Sequence, residues 1–288
     1  MRAMTCERVP MEDELGDVLE KALGLTGLTE AAVAARAGVP VGRLRDAIDY
    51  RYDFEPGELD RLAAALGLRA PGLHALLSGE YPLPCISGLP FCVYPLRCPH
   101  GIGVANAYLV ADCSSDSAVL FDAGCGYEAL APVWPRAVRR LDGICITHEE
   151  REHCGGVAEC LRRFGPAPVF APTALTGICA ATLGEGARMT LGPLEIEVLA
   201  TPGHAAAHNC YLVRAPRAPT APALLIAGDL IFAGSVGGGY WDPRQLGLHV
   251  RRLAERLPPD TVIAPGHGPL TTLANELAMN PFFPDRPV

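Results

Sequence analysis

Ile144-Cys145-Ile146-Thr147-His148-Glu149-Glu150-Arg151-Glu152-His153-Cys154-Gly155-Gly156 is the stretch whose reading decides the fold. Its apolar, β-branched start predicts a strand, and its charged continuation predicts a loop leaving that strand. Four side chains able to hold a metal, His148, Glu150, Glu152 and His153, fall within six positions. A loop at a strand end can turn all four toward one concave point, and Gly155 and Gly156 let the next helix approach closely. Taken alone, the same string also reads as a solvated charged turn.

Three later clusters decide between those readings. Thr201-Pro202-Gly203-His204 is a Pro-Gly turn presenting a histidine after an apolar run, and Ala227-Gly228-Asp229 puts a carboxylate at the end of another. Ala264-Pro265-Gly266-His267-Gly268 repeats the turn and the histidine. Each is ordinary by itself, because a histidine in a turn is usually a surface residue and an aspartate after a strand is usually a cap. Four such clusters, each at a strand end, point instead to one shared site. Short β-rich runs over 106–110, 118–121, 143–146, 194–199, 210–213, 224–226 and 262–264 alternate with helical stretches, which predicts sheets flanked by helices.

The segments THEEREHCGG, TPGHAAAH, AGDLIFAGS and PGHGPLTT resemble the metallo-β-lactamase superfamily, especially its hydroxyacylglutathione-hydrolase-like branch, over roughly residues 92–283. The runs ANAYLV and VLFDAG are similar to that family's opening strands. The resemblance implies an α+β fold, an αββα sandwich with two divalent metal ions at the edge between its sheets. It implies that one ion takes His148, Glu150 and His204, the other Glu152, His153 and His267, and that Asp229 bridges them. Asp229 and Glu152 would hold the nucleophile as catalytic groups. Asp122 would stand behind the ligands and orient one of them, and His208 matches a family histidine that is usually not a ligand.

The family's common HxHxDH pattern is HxExEH in this chain, with Glu150 at the second histidine and Glu152 at the aspartate. Three carboxylates, Glu150, Glu152 and Asp229, would then face the two cations. Harder and more negative donors move preference from zinc toward iron or manganese. A glutamate at the second position is similar to the flavodiiron proteins and related di-iron oxygenases of the superfamily. Zinc or iron is the expected metal, and manganese is compatible with the same donors.

Two readings of the reaction follow. The first is hydrolysis of a thioester, ester or lactone in a small-molecule substrate by a hydroxide generated on the dinuclear centre, with no serine or cysteine nucleophile required. The second is a non-haem di-iron oxidoreductase, or a sensor of oxygen, nitric oxide or sulfur, and is motivated by Glu150. A transcription factor with a vestigial metal site is disfavoured by the complete set of seven ligand candidates. Cys154, beside His153, is a candidate redox group. Tyr240 and Trp241, after Gly237-Gly238-Gly239, are candidate walls of the substrate pocket.

Before the strand-rich region, Leu15, Val18, Leu19, Ala22 and Leu23 begin a helical periodicity that continues to about Leu77. Residues 29–49 read as helix, tight turn at Gly38-Val39-Pro40, and helix, and a later helix is expected near 56–66. This stretch resembles the Cro and phage-repressor helix-turn-helix family over about 50 residues, which implies a recognition helix over 41–49. The predicted organisation is an all-α domain over 1–79 and a metal-binding catalytic domain over 80–288, joined through Gly79-Glu80-Tyr81-Pro82-Leu83-Pro84. Residues 1–79 carry nine Lys plus Arg against thirteen Asp plus Glu, and Arg43 and Arg45 are countered by Asp46 and Asp49. Phosphate neutralisation supplies most non-specific DNA affinity, so DNA is not the favoured partner. A site-covering or dimerising module is favoured, with a homodimer a reasonable expectation.

With 288 residues, 49% of them hydrophobic, the chain can bury a sizeable core. Its net charge is -8 and Lys21 is its only lysine, which excludes a broad cationic surface for nucleic acid or anionic lipid. The charged residues of 1–16 do not read as a secretory signal, and the long uncharged run over 164–184 is broken by Pro166, Pro168 and Pro172. A cytoplasmic protein without membrane contact is the expectation. Eleven scattered cysteines, odd in number and without CxxC pairs, predict buried thiols in place of a disulfide or zinc-finger framework.

Overall fold

Helices come first in the chain, as the apolar spacing predicts. The computed structural model describes residues 9–101 and 103–283, and in it α1 (Leu15–Thr26), α2 (Glu30–Ala37), α3 (Val41–Ile48), α4 (Glu58–Leu66) and α5 (Ala70–Leu77) follow one another. A capping box between Glu14 and Asp17 starts α1, and the Thr29 side chain caps α2 by accepting from the Ala32 amide. Val18, Leu19, Leu44, Leu62 and Leu73 meet in one small core, each withdrawn from water. Residues 1–8 of the N-terminal charged stretch lie outside the described residues.

The first sheet runs β1 (Cys92–His100), β2 (Gly103–Ala111), β3 (Ser117–Phe121), β4 (Arg140–Cys145), β5 (Val169–Ala171) and β6 (Ala180–Thr182), in that spatial order. Its first three strands are antiparallel neighbours and the rest pair in parallel. Between its strands the chain forms α6 (Tyr127–Leu130), α7 (Arg151–Cys154) and α8 (Val157–Phe164). The second sheet uses β7 (Arg188–Leu191), β8 (Leu194–Ala200), β9 (Asn209–Arg214) and β10 (Leu224–Gly228). The hairpin of β11 (Ile231–Phe232) and β12 (Ser235–Val236) comes next, followed by α9 (Pro243–Arg256), β13 (Val262–Pro265), β14 (Thr271–Thr272) and α10 (Leu273–Met279). The spatial order of this sheet is β14-β13-β10-β9-β8-β7.

Strand periodicity builds the layers. Leu109, Leu120 and Ile144 pack with Val157 and Cys160 of α8, whereas their neighbours Val110, Phe121 and Cys145 face the second sheet. In the second sheet Leu212, Leu225 and Ile263 pack with Leu246, Val250 and Leu253 of α9, while Tyr211, Val213, Leu224 and Ile226 face the first sheet. The outcome is the helix-sheet-sheet-helix layering that the resemblance implies.

One expectation about cysteine is overturned. Cys92 and Cys113 form a disulfide, with Cα atoms 5.1 Å apart. Its cause is register: Cys92 pairs with Ala111 across the β1–β2 ladder, which brings the residue two positions further on alongside it. Cys98, Cys145, Cys160 and Cys210 are buried thiols as expected, and Cys85 and Cys179 are exposed.

The helices dock firmly on the sandwich. Gly72 of α5 lies so close to the chain after α10 that a Cβ there would sit 2.0 Å from the Met279 carbonyl oxygen. The Arg69 amide donates to Pro281 O at 3.0 Å and its guanidinium to Leu277 O. Tyr81 donates at 3.1 Å to the buried carboxylate of Glu276, which also accepts from the Gly234 amide, the Thr271 hydroxyl and the Asn275 and Asn280 side chains. Burial raises the pKa of Glu276, and these donors oppose the rise. Among the described residues no helix is long and apolar enough to cross a membrane.

Candidate metal centre

The candidate ligands sit at strand ends, where the backbone stops pairing and is free to turn. His148 follows β4, Glu150 caps α7, and Glu152 and His153 lie on that single helical turn. His204 lies between β8 and β9, Asp229 directly follows β10, and His267 follows β13. Gly266 has no side chain because there is no space for one: a Cβ would lie 2.0 Å from Asp229 Oδ1 and 3.0 Å from the His153 ring.

All seven side chains predicted from the sequence are brought together. In one group, His204 Nε2 is 3.3 Å from Glu150 Oε1 and His148 Nε2 is 4.0 Å from Glu150 Oε2. In the other, His267 Nε2 is 3.6 Å and His153 Nε2 3.9 Å from Glu152 Oε1. Asp229 reaches both groups, with Oδ2 3.6 Å from His204 Nε2 and 3.4 Å from His267 Nε2, and Oδ1 3.5 Å from His153 Nε2. Within each group the candidate donor atoms lie within 4.8 Å of one another.

The hydrogen bonds divide each imidazole into a tethered end and a free end. The Nδ1 atoms of His148, His153, His204 and His267 are held by the Thr147 hydroxyl (3.0 Å), Asp122 (3.0 Å), Gly238 O (2.9 Å) and Val104 O (3.1 Å). His148 Nε2, His153 Nε2, His204 Nε2 and Asp229 Oδ1 are buried with no hydrogen-bond partner among the described residues. Buried polar atoms are seldom left so, and four of them around one point fit a cation pair that would complete them. Asp122, whose φ of 57° places it in the left-handed region, also accepts from the Thr147 amide and hydroxyl, so it fixes both His153 and the loop that carries His148.

His208 is spent elsewhere. Its Nδ1 meets the Thr201 hydroxyl at 2.8 Å and its Nε2 accepts from the Asp229 amide at 3.2 Å, leaving no lone pair for a metal. Burial, reinforced by His204, pushes its pKa down to about 3, so the ring is the neutral acceptor this geometry needs. Cys154 donates to Glu149 O at 3.2 Å, and burial raises its thiol, opposite to the shift that makes a thiolate reactive.

A cavity of about 740 Å³ opens over the site, lined on one side by Glu150, Glu152, His204, Asp229 and His267 and on the other by α1 and the segment before it. Tyr240 lines this cavity, its ring 5.3 Å from that of His204. Trp241 is outside the lining, since its amide is drawn to Gly203 O and His204 O, both at 3.2 Å. Two neighbours escape the sequence reading. His100, at the end of β1, puts Nε2 2.8 Å from Glu152 Oε2, and Glu12 puts a carboxylate oxygen 3.7 Å from His267 Nδ1. Neither lies in a motif, and each arrives only through the packing of distant segments.

Residues 100–267 match the family model of the metallo-beta-lactamase superfamily. The chain belongs to that superfamily. Metallo-β-lactamase superfamily proteins bind divalent metals and are typically hydrolases, in keeping with the convergent donors above. The chain is 34% identical over 149 residues to a hydroxyacylglutathione hydrolase of Pectobacterium atrosepticum, covering 51% of this chain and 55% of that one. It thus spans about half the length of the hydroxyacylglutathione hydrolases it matches. A probable metallo-hydrolase of Bacillus subtilis is 30% identical over 213 residues, with 65% of this chain and 95% of that one covered. The structure of TTHA1623 in a di-iron-bound form has a TM-score of 0.51 and 30% identity, covering 65% of this chain and 99% of that one.

The ring charges give a pH signature. Burial lowers the pKa of His153 and of His267, but Asp229 and neighbouring acids outweigh it and raise each to about 9, above an ordinary value of 6.5. A raised histidine adds stability that is complete below the unfolded pKa and is lost as pH climbs through the folded one. The melting temperature of the metal-free protein is therefore expected to fall between pH 6.5 and 9. Zinc affinity should rise over the same window by up to about tenfold per pH unit for each proton displaced. Calorimetry and competitive chelation measure the two trends, and flat profiles in both would contradict the charge assignment.

Proposed function

We propose that the protein is a dinuclear metallohydrolase that cleaves a thioester, ester or lactone in a small-molecule substrate. The observation that carries the proposal is the ring of buried, unpartnered Nε2 atoms around Asp229. One ion would be held by His148, Glu150 and His204, the other by Glu152, His153 and His267, with Asp229 between them. When bound, two divalent cations supply Lewis acidity that acidifies a shared water and polarises the scissile carbonyl. Asp229 and Glu152 orient the attacking water by accepting its protons in hydrogen bonds, and His100 restrains Glu152 at 2.8 Å. His208 holds the Asp229 backbone, and Asp122 holds the His153 ring. Zinc, iron and manganese are all compatible with four imidazoles and three carboxylates.

A second reading, a non-haem di-iron oxidoreductase or a sensor of oxygen, nitric oxide or sulfur, is favoured by the Glu150 carboxylate beside His204 and by the likeness to a protein solved in a di-iron-bound form. Metal analysis of anaerobically purified protein, joined to assays on thioester, ester and lactone panels, separates the two. The hydrolase reading expects turnover in a zinc, iron or manganese form. It also expects His204→Ala to lose more than about a hundredfold in kcat/KM with an unchanged circular dichroism spectrum. Stoichiometric iron that cycles redox state, with no hydrolysis in any metal form, would replace it by the second reading.

We also propose that the helical domain covers the site and does not read DNA. Its resemblance to a helix-turn-helix is offset by its charge pairing. Arg43 is held by Glu58 (3.0 Å) and Glu55 (3.6 Å), Arg45 by Glu30 (2.7 Å), and Arg51 by Asp46 and Asp49. These cations are already committed and have little left for phosphate. No retardation of random or genomic duplex fragments is expected in gels at low salt; a sequence-specific shift would overturn this assignment.

A further inference from the structure

The wall that the helical domain contributes to the cavity is acidic. Glu12, Asp13, Asp17 and Glu20 line it against one ammonium, that of Lys21, and among the described residues no arginine lines the cavity. Three of the four carboxylates are already engaged. Asp13 pairs with Lys21 at 2.5 Å, Asp17 accepts from Tyr50 and from the Glu14 amide, and Glu12 lies 3.7 Å from His267. Glu20 has no hydrogen-bond or ion-pair partner among the described residues. The space leads onto the candidate metal centre, because His204 and Asp229, with side chains 4% and 5% exposed, line it as well.

Lys21 shows what this wall solvates well. Its ammonium sits 5.0 Å from the centre of the Phe232 ring, 2.9 Å from Val236 O and against Asp13: an aromatic face, a carbonyl and a carboxylate around one cation. Tyr240 and Glu20 bring an aromatic ring and a carboxylate to the same cavity. Tyr240 is 81% exposed, its ring stands 5.3 Å from that of His204, and it feels the charges of Asp13, Asp229, Glu150 and Glu20. Large aromatic side chains are seldom so bare.

We propose that the cavity selects substrates with a positive charge on the part remote from the scissile carbonyl, Glu20 and Tyr240 being the specificity-determining residues. This rests on the hydrolase reading for the scissile bond, but the charge preference is a property of the wall alone. An ammonium or guanidinium held between the Tyr240 face and the Glu20 carboxylate leaves the other end of a short substrate over His204 and Asp229. Substrates with several carboxylates meet repulsion from the same wall.

Two isosteric pairs differing only in charge test the proposal on the full-length protein. In calorimetric titration, choline is expected to bind at least about tenfold more tightly than 3,3-dimethylbutanol. That margin should collapse in Glu20→Lys and shrink in Tyr240→Leu and in high salt. In turnover, acetylthiocholine is expected to exceed S-(3,3-dimethylbutyl) thioacetate in kcat/KM by a similar factor, and S-acetyl-3-mercaptopropanoate to fall below both. Equal binding of choline and its neutral isostere, or a preference untouched by Glu20→Lys, would overturn the proposal. Retained choline preference with no thioester turnover in any metal form would support the cation wall while sinking the hydrolase reading.

Discussion

Everything in the site depends on imidazole rings tied at Nδ1 and left open at Nε2. A neutral imidazole has one donor and one acceptor, so fixing Nδ1 to an oxygen sets the tautomer and aims the Nε2 lone pair. The oxygens that do this are Asp122, Thr147, Gly238 O and Val104 O, drawn from four separate places in the chain. The aim of the rings is therefore a property of the whole sandwich. Asp122 is the most connected of these oxygens, since one carboxylate fixes the His153 ring and the Thr147 backbone together, and it holds a left-handed conformation to do so.

The two sheets supply rigidity and the strand ends supply the donors. Parallel β3–β4 and β10–β13 pairs bring the exits of β4, β10 and β13 to one edge of the sandwich, which explains why motifs far apart in sequence share one point. The helical domain then adds what the sandwich lacks, a wall over the open side of the cleft. Its docking uses a close backbone approach at Gly72, the Arg69 contacts and the buried Glu276 network, so the wall has a fixed position relative to the donors. A buried carboxylate serving five donors resists rearrangement, because any lost partner leaves an unsatisfied group behind.

The parts legible in the sequence were those set locally. Turn chemistry at Pro202-Gly203 and Pro265-Gly266 and the apolar runs before them announced histidines at strand ends, and the ligand candidates followed. Strand β1 was hidden because it is an edge strand with Pro95 and Pro99 and a mixed burial pattern, so neither periodicity nor apolarity marks it. β5 and β6, at three residues each, are too short to show a period. The Cys92–Cys113 bond depends on the register of a hairpin whose first strand was unseen. His100, Glu12 and the acidic face of α1 join the site only through tertiary docking. Trp241 and Tyr240 look equivalent in sequence, yet the backbone bonds of Trp241 to Gly203 and His204 leave only Tyr240 lining the cleft.

Anomalous diffraction at a metal absorption edge, on crystals of metal-loaded protein, tests the shared cage most directly. Two peaks about 3.5–4 Å apart are predicted, one among His148, Glu150 and His204 and the other among Glu152, His153 and His267, with Asp229 touching both. A single peak outside these side chains, or full metal loading with the seven residues left uncoordinated, would contradict it.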